Sequence, residues 1–311
     1  MRRDVPPPLT RSRLSCHVTS MPKFRYEGLS RWWKGNLHVH STRSDGGKTP
    51  AELAALYAGA GYDFIALTDH WEAGTPSDLP HPSPLLVLDG VELDGDDRTG
   101  AGFHVVCLGC RDGIERAMGL EPAMAAARRQ GAVLMLAHPL WMGNSAEDSL
   151  RHRFDGVEAY NGVTDWLNGK DTGVFHWERM LESSVDTFGC AVDDAHISAD
   201  HPTWNRGWVH VDAQSLAPEA LLSAIRAGRF VSSCGPTIGG LDARERDVTV
   251  TCSPVRFIRL VGPTHRGRRV AALDGPPLTS ATFTVPDEWA HARIEVEDEA
   301  GHRAWTNTLF L

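Results

Sequence analysis

From about residue 35 the chain alternates between short apolar runs and longer amphipathic ones. The apolar runs fall at residues 36–40, 63–68, 85–91, 104–108, 132–137, 156–160, 187–192 and 208–211, each of strand length. Helical stretches with ordinary end signals lie between many of them. Thr49-Pro50-Ala51-Glu52 is a capping box with proline at the first helical position, and the helix that it opens should run to about Gly61. Pro122 and Gly131 bracket a second helix, Pro218 and Gly228 a third, and residues 170–184 read as another. Repeated strand–helix units predict parallel pairing, in a closed barrel or a doubly wound sheet. After Gly235-Pro236 the pattern changes. Residues 248–252, 256–261, 281–285, 292–296 and 305–310 read as short strands with turns between them. The expected organisation is a loose tail over residues 1–30, an α/β domain over 31–236 and a small, sandwich-like all-β domain over 237–311. The tail holds Pro6-Pro7-Pro8 and several arginines but no periodicity, and Met21 is an alternative start.

Composition narrows the class. The 311 residues are 41% apolar and 23% charged, as in soluble globular proteins. A formal net charge of −9 argues against a long nucleic acid as the main partner. No stretch approaches the roughly 20 apolar residues of a membrane span, and residues 1–20 lack the apolar core of a secretory signal. The six scattered cysteines therefore read as reduced thiols in a cytoplasmic protein. Cys107 and Cys110 resemble half of a zinc site, but no second Cys-x-x-Cys exists and Cys107 has the opposite strand parity from His104.

The chemistry lies at the strand ends. His38 and His40 share one face of a strand, because residues i and i+2 point the same way, and two imidazoles on one face chelate a cation. Asp45 follows in the glycine-containing loop Ser44-Asp45-Gly46. The next runs end in Thr68-Asp69-His70 and in Glu92, and His104 opens the one after. Later runs reach His138-Pro139, Glu158 with Asn161 behind it, and Asp193-Asp194-Ala195-His196. Any one of these is explained as a cap or a satisfied core residue. The set is not, because the strand ends of a β/α barrel gather on one face, where active sites sit.

His38-Val39-His40 with Ser44-Asp45-Gly46, then Thr68-Asp69-His70, His138-Pro139 and Asp194-Ala195-His196 resemble, in order, the four motifs of the PHP (polymerase and histidinol phosphatase) family. The resemblance covers about residues 35–235. It implies a distorted (β/α)7 barrel holding two or three divalent ions, Zn, Mn or Fe. Carried over by position, it implies one metal on His38, His40, Glu92 and Asp194, a second on Glu92, His104 and His138 with Glu92 bridging, and a third on Asp45, His70 and His196. A metal-activated water would be the nucleophile, with Asp194 and His196 acting beside it.

Three carboxylates against three divalent cations leave a positive site, suited to a small anionic substrate such as a phosphate ester. Asp69, Glu158 and Asn161 are candidates to orient the ligands, Arg206 to bind a phosphate oxygen and His201 to protonate the leaving group, each with an alternative reading as a cap, loop or surface residue. Asp94, Asp96 and Asp97 read as solvated acids beside Glu92, with Asp94 the next candidate for the bridge if Glu92 is not it, and Trp141, Trp166, Trp177 and Trp204 as candidates to wall a pocket.

The expected activity is that of a phosphoesterase acting on a small phosphorylated metabolite or nucleotide. Residues 230–236 and Ala304-Trp305-Thr306-Asn307 are also similar to a carbaryl-hydrolase-like branch of the family. A metallohydrolase of a non-phosphate ester or carbamate is therefore the first alternative. A non-catalytic metal-binding module is the second.

Overall fold

A computed structural model describes residues 23–311 except 30, 77, 78, 80–82, 184 and 185. Most of the expected tail, residues 1–22, lies outside the described residues. The described remainder does not behave as a tail. Phe24 bridges to Phe310, and Tyr26 is buried, its hydroxyl donating to the Phe230 carbonyl at 2.9 Å and accepting from Asn307 N at 2.7 Å. Two aromatics in three residues have more to gain from the core than from water.

The α/β class holds. The strands up to residue 236 are β1 (Trp32–Val39), β2 (Phe64–Leu67), β3 (Leu86–Leu88), β4 (Gly90–Asp96), β5 (Gly102–Leu108), β6 (Val133–Leu136), β7 (Gly156–Asn161), β8 (Phe188–Val192), β9 (Trp208–Asp212) and β10 (Phe230–Ser233). The helices are α1 (Pro50–Gly59), α2 (Leu120–Arg129), α3 (Pro139–Met142), α4 (Ala146–Arg151), α5 (Gly162–Asn168), α6 (Val174–Glu182) and α7 (Pro218–Arg226). The capping box of α1 forms, Glu52 N reaching the Thr49 hydroxyl at 3.3 Å and Thr49 N reaching Glu52 at 2.8 Å.

A regular (β/α)7 ladder is not what pairs. β1, β2 and β3 run parallel in one sheet, and β6, β7 and β8 run parallel in another. β4 and β5 join the second sheet as an antiparallel pair, and β9 and β10 join the first antiparallel, so several strand connections carry no helix. The two sheets meet at isolated parallel bridges, Val39 with Ala195 and His70 with Glu92. His40 N donates to the Ala195 carbonyl at 2.9 Å, and Glu92 N to that of Thr68 at 3.1 Å.

The apolar run at residues 85–91 is two strands, not one. β3 stays beside β2, and the chain crosses at Asp89-Gly90 into β4. Gly90 permits the crossing, since a Cβ there would lie 2.8 Å from the Leu67 carbonyl oxygen. Glu92 consequently sits inside β4, not beyond a strand end.

Below these bridges a buried cluster draws on β1, β2, β5, β6, β8, β9 and β10 through Leu37, Phe64, Val106, Met135, Cys190, Val209 and Phe230, and α7 closes it with Leu221 and Ile225. At about 25 cal/mol per Å² of apolar area buried, such side chains supply the main driving force of the fold. The charged strand ends stand above this floor.

Every strand or helix after residue 237 is a strand: β11 (Ile238–Arg244), β12 (Asp247–Val255), β13 (Phe257–Val261), β14 (Gly267–Ala271), β15 (Leu278–Thr284), β16 (Arg293–Glu297) and β17 (Arg303–Thr306). β11 and β14 give weak sequence signals, the first carrying Gly239-Gly240 and the second being almost wholly exposed. β11, β12 and β15 form a separate sheet. β13, β14, β16 and β17 instead extend the sheet of β1, β17 pairing with β10.

Candidate metal centre

His38 in β1 and His40, the first residue after it, have no exposed surface. Their Nε2 atoms lie 3.0 Å apart. Glu92 Oε2 is 3.1 Å from each, and Asp194 Oδ1 is 3.3 and 3.2 Å from them. His40, Asp45, His70 and His196 make a second group, in which Asp45 Oδ2 is 3.2 Å from His196 Nε2 and 3.8 Å from His70 Nε2. His70, Glu92 and His104 make a third. In each group the donor atoms lie within 4.8 Å of one another.

Glu92 divides its oxygens. Oε2 faces His38, His40 and His70, the last at 3.4 Å, while Oε1 faces His104 Nδ1 at 2.9 Å and His138 Nε2 at 3.3 Å. All nine side chains named from the sequence therefore come together. The grouping differs in detail from the one that the resemblance implies. His40 also joins the Asp45 group, and His70 takes the place of His138 beside His104 and Glu92.

Neighbouring side chains fix this arrangement. Glu158, fully buried, accepts from His38 Nδ1 at 2.6 Å and from His138 N at 2.8 Å. Asn161 donates to Glu158 at 2.8 Å and to Asp194 at 3.1 Å. Asp69 does not orient His70. It accepts from Ser41 N, Ser41 Oγ and Ser44 Oγ at 2.6–2.8 Å, pinning the loop that presents Asp45. The His201 ring meets that of His196 edge-on at 5.3 Å. Arg206 points elsewhere, its guanidinium 3.3 Å from Asp165 in a separate groove with Tyr160 and Arg303.

Two supporting acids escaped the sequence reading. Asp94, taken for a solvated acid, lies 3.0 Å from His70 Nδ1 and holds Trp71 Nε1 and both ends of the Arg116 guanidinium. Its i+2 spacing from Glu92 was the available signal. Asp193, fully buried, accepts from Tyr57 OH and from the backbone N–H of Asn205, Arg206 and Gly207 at 2.6–2.9 Å. This tethers the loop after Asp194, where Asp194 and Ile197 both adopt positive φ, 52° and 47°. Such backbone costs of order 1–3 kcal/mol and persists only when its surroundings over-determine it.

The protonation pattern follows from crowding. Burial opposes charge on His40, but hydrogen bonds and charge from Asp194 and Glu92 raise it to about 10. His38 is likewise raised despite burial, by Asp194, Glu92 and Glu158. Against the same burial, the histidines hold Glu92, Asp194 and Asp45 below the usual carboxylate range. Protons here occupy places that cations can take.

The donor chemistry fits cations better. With its Nδ1–H given to Glu158, His38 turns the Nε2 lone pair toward two carboxylates and a second imidazole. Asp194 Oδ1 is buried without a hydrogen bond. A cavity of about 220 Å³ opens over the cluster, walled by Trp141, Val163, Leu167 and His201. Of the other tryptophans considered, Trp177 is core, Trp204 packs on Tyr57 and Trp166 is exposed. Among the described residues, no donor group includes a residue beyond 237. The five described cysteines are unpaired, and Cys107 packs in the core.

A two-domain protein from Bacteroides vulgatus containing a predicted PHP-like metal-dependent phosphoesterase superposes on this chain with a TM-score of 0.53 and 17% identity, covering 94% of this chain and 100% of its own. The fold is similar to that of a PHP-like protein. The fold-level likeness thus agrees with the motif resemblance. A putative metal-dependent phosphoesterase from Bifidobacterium adolescentis matches at 13% identity over 53% of this chain and 89% of its own, with a TM-score of 0.39. An amidohydrolase from Chromobacterium violaceum matches at 24% identity over 53% of this chain and 55% of its own, with a TM-score of 0.23. Neither of these two superpositions is close enough to support an argument. No protein-family model and no curated protein matches the chain. Among the described residues no helix is long and apolar enough to cross a membrane.

Proposed function

We propose that this chain is a metal-dependent phosphoesterase of small phosphate esters. The observation that carries the reading is the division of Glu92, one oxygen toward His104 and His138 and the other toward His38, His40 and His70. A carboxylate so placed would offer one oxygen to each of two ions. His38, His40 and Asp194 would complete one position, His104 and His138 another, and Asp45, His70 and His196 a third. Divalent ions held there, with Zn, Mn and Fe the candidates, supply Lewis acidity and a water of lowered pKa.

The chain's own groups do the rest. Glu158 and Asn161 hold His38 and Asp194 in place, and Asp94 does the same for His70. Asp194 and His196 stand at the cavity, where they would orient the attacking water, and His201 is placed to protonate the leaving oxygen. The two sheets bridged at Val39–Ala195 and His70–Glu92 support reading residues 31–236 as a distorted seven-stranded barrel, with 237–311 as a second domain whose strands continue one of its sheets. The unpaired cysteines suit a cytoplasmic setting.

A second reading, hydrolysis of a carboxylic ester or carbamate, is favoured by the lack of lysine or arginine among the described residues that line the cavity. Metal-loaded protein should hydrolyse 4-nitrophenyl phosphate well above its rate on 4-nitrophenyl acetate. The reverse preference establishes the second reading. Inactivity on both and on a wider ester panel, at full metal content, leaves a metal-binding module.

A further inference from the structure

We infer that the substrate carries a single phosphoryl group, with no second anionic group, and an apolar ring in its leaving group, held between Trp141 and Leu167. This inference rests on the phosphoesterase reading and narrows it. Trp141 on α3 is 37% exposed and Leu167 on α5 is 41% exposed, and both line the cavity over the cluster. The Trp141 ring stands edge-on to His138 and His104, with centroids 5.2 and 6.1 Å away. Val163 completes this wall. α3 and α5 follow directly on β6 and β7, the strands that lead into His138 and carry Glu158 and Asn161, so the wall is fixed to the same frame as the cluster. Large apolar side chains left open at the mouth of a charged site mark a surface that something covers.

Charge excludes the common alternatives. No lysine or arginine is among the described residues lining this cavity. Arg116 lies at another opening onto the cluster, beside Ser44 and Asp94, and both of its guanidinium hydrogen bonds go to Asp94. A second phosphate or a carboxylate on the substrate would enter without a counter-charge. The cavity, about 220 Å³, equals roughly seven water volumes, which suits a phosphoryl group and one ring.

The test compares 2-phenylethyl phosphate with ethyl phosphate on the manganese-loaded full chain. Both leaving groups are primary alkoxides, so the bond-breaking step is matched. A buried ring should raise kcat/KM by about tenfold or more. Trp141→Ala and Leu167→Ser should each pull that ratio toward one, whereas Phe175→Ser, exposed and outside the cavity, should leave it unchanged. Leu167→Ser decides the matter if Trp141→Ala also lowers metal content. Equal turnover of the two esters by the wild type overturns the inference and leaves the phosphoesterase reading standing. If neither ester is turned over at full metal content, the phosphoesterase reading fails. Calorimetric binding of 2-phenylethylphosphonate against ethylphosphonate then tests the wall alone, and equal affinities overturn it.

Discussion

Replacing Glu158 by glutamine keeps the shape of the side chain and changes only what it can accept. Its carboxylate meets three donors in a space closed to water: His38 Nδ1 at 2.6 Å, His138 N at 2.8 Å and Asn161 Nδ2 at 2.8 Å. A carboxylate is acceptor-only and satisfies all three, but a primary amide has one accepting end. If its NH₂ faces His38, the ring must offer a lone pair at Nδ1 and carry its proton on Nε2. That proton would point at His40 Nε2, 3.0 Å away, and block metal ligation. If its NH₂ faces the other way, it opposes the His138 N–H and the Asn161 amide. Asn161 cannot turn to help, because its Oδ1 caps α5 by accepting from Thr164 N at 3.0 Å.

The second placement strands buried donors, at a cost of about 1–3 kcal/mol; the first keeps them paired but fixes His38 in the tautomer that cannot ligate. Losing the charged partner of a ligating histidine should weaken cation affinity about 10–100-fold. Competition with a chromophoric chelator gives the affinity, and thermal melting of metal-stripped protein gives the stability. A Glu158→Gln protein that bound cations within twofold of wild type and melted at the same temperature would refute this reasoning.

Glu92→Gln should lower metal content by more than one ion per chain, because both of its oxygens are engaged on different histidines; loss of a single ion by elemental analysis would remove the bridge. Asp94→Asn should weaken cation binding through His70, whereas Asp96→Asn, at the exposed end of β4, should not; equal metal titrations of the two variants would count against the role of Asp94. His210 concerns stability. Burial and the Lys34 charge lower it from 6.5 to about 4, against an opposing pull from Asp63. Between those values the unfolded chain binds a proton that the folded chain refuses, so this residue's contribution is intact above pH 6.5 and is lost as pH falls toward 4. The loss is at most about 3 kcal/mol. His210→Gln should flatten the denaturation free energy over that window, and an unchanged slope would contradict the assignment.

That these nine side chains cluster was legible in the sequence, from local strand signals and from the order of the motifs. Side chains two apart share a strand face, which gave His38 with His40, and a barrel rule sent the strand ends to one side. The same locality explains what was missed. Only pairing shows that residues 85–96 are two strands in different sheets, and therefore that the strand continues past Glu92 through Asp94. Arg206 sits one residue from Gly207, whose N–H reaches Asp193, yet its own side chain leaves toward Asp165. Tyr26 looked like tail until Phe230 and Asn307, some 200 and more positions later, gave its hydroxyl partners. The residue types at this site follow from the sequence alone. Which of them face one another, and which tryptophan walls the cavity, depends on contacts between distant segments that no local pattern encodes.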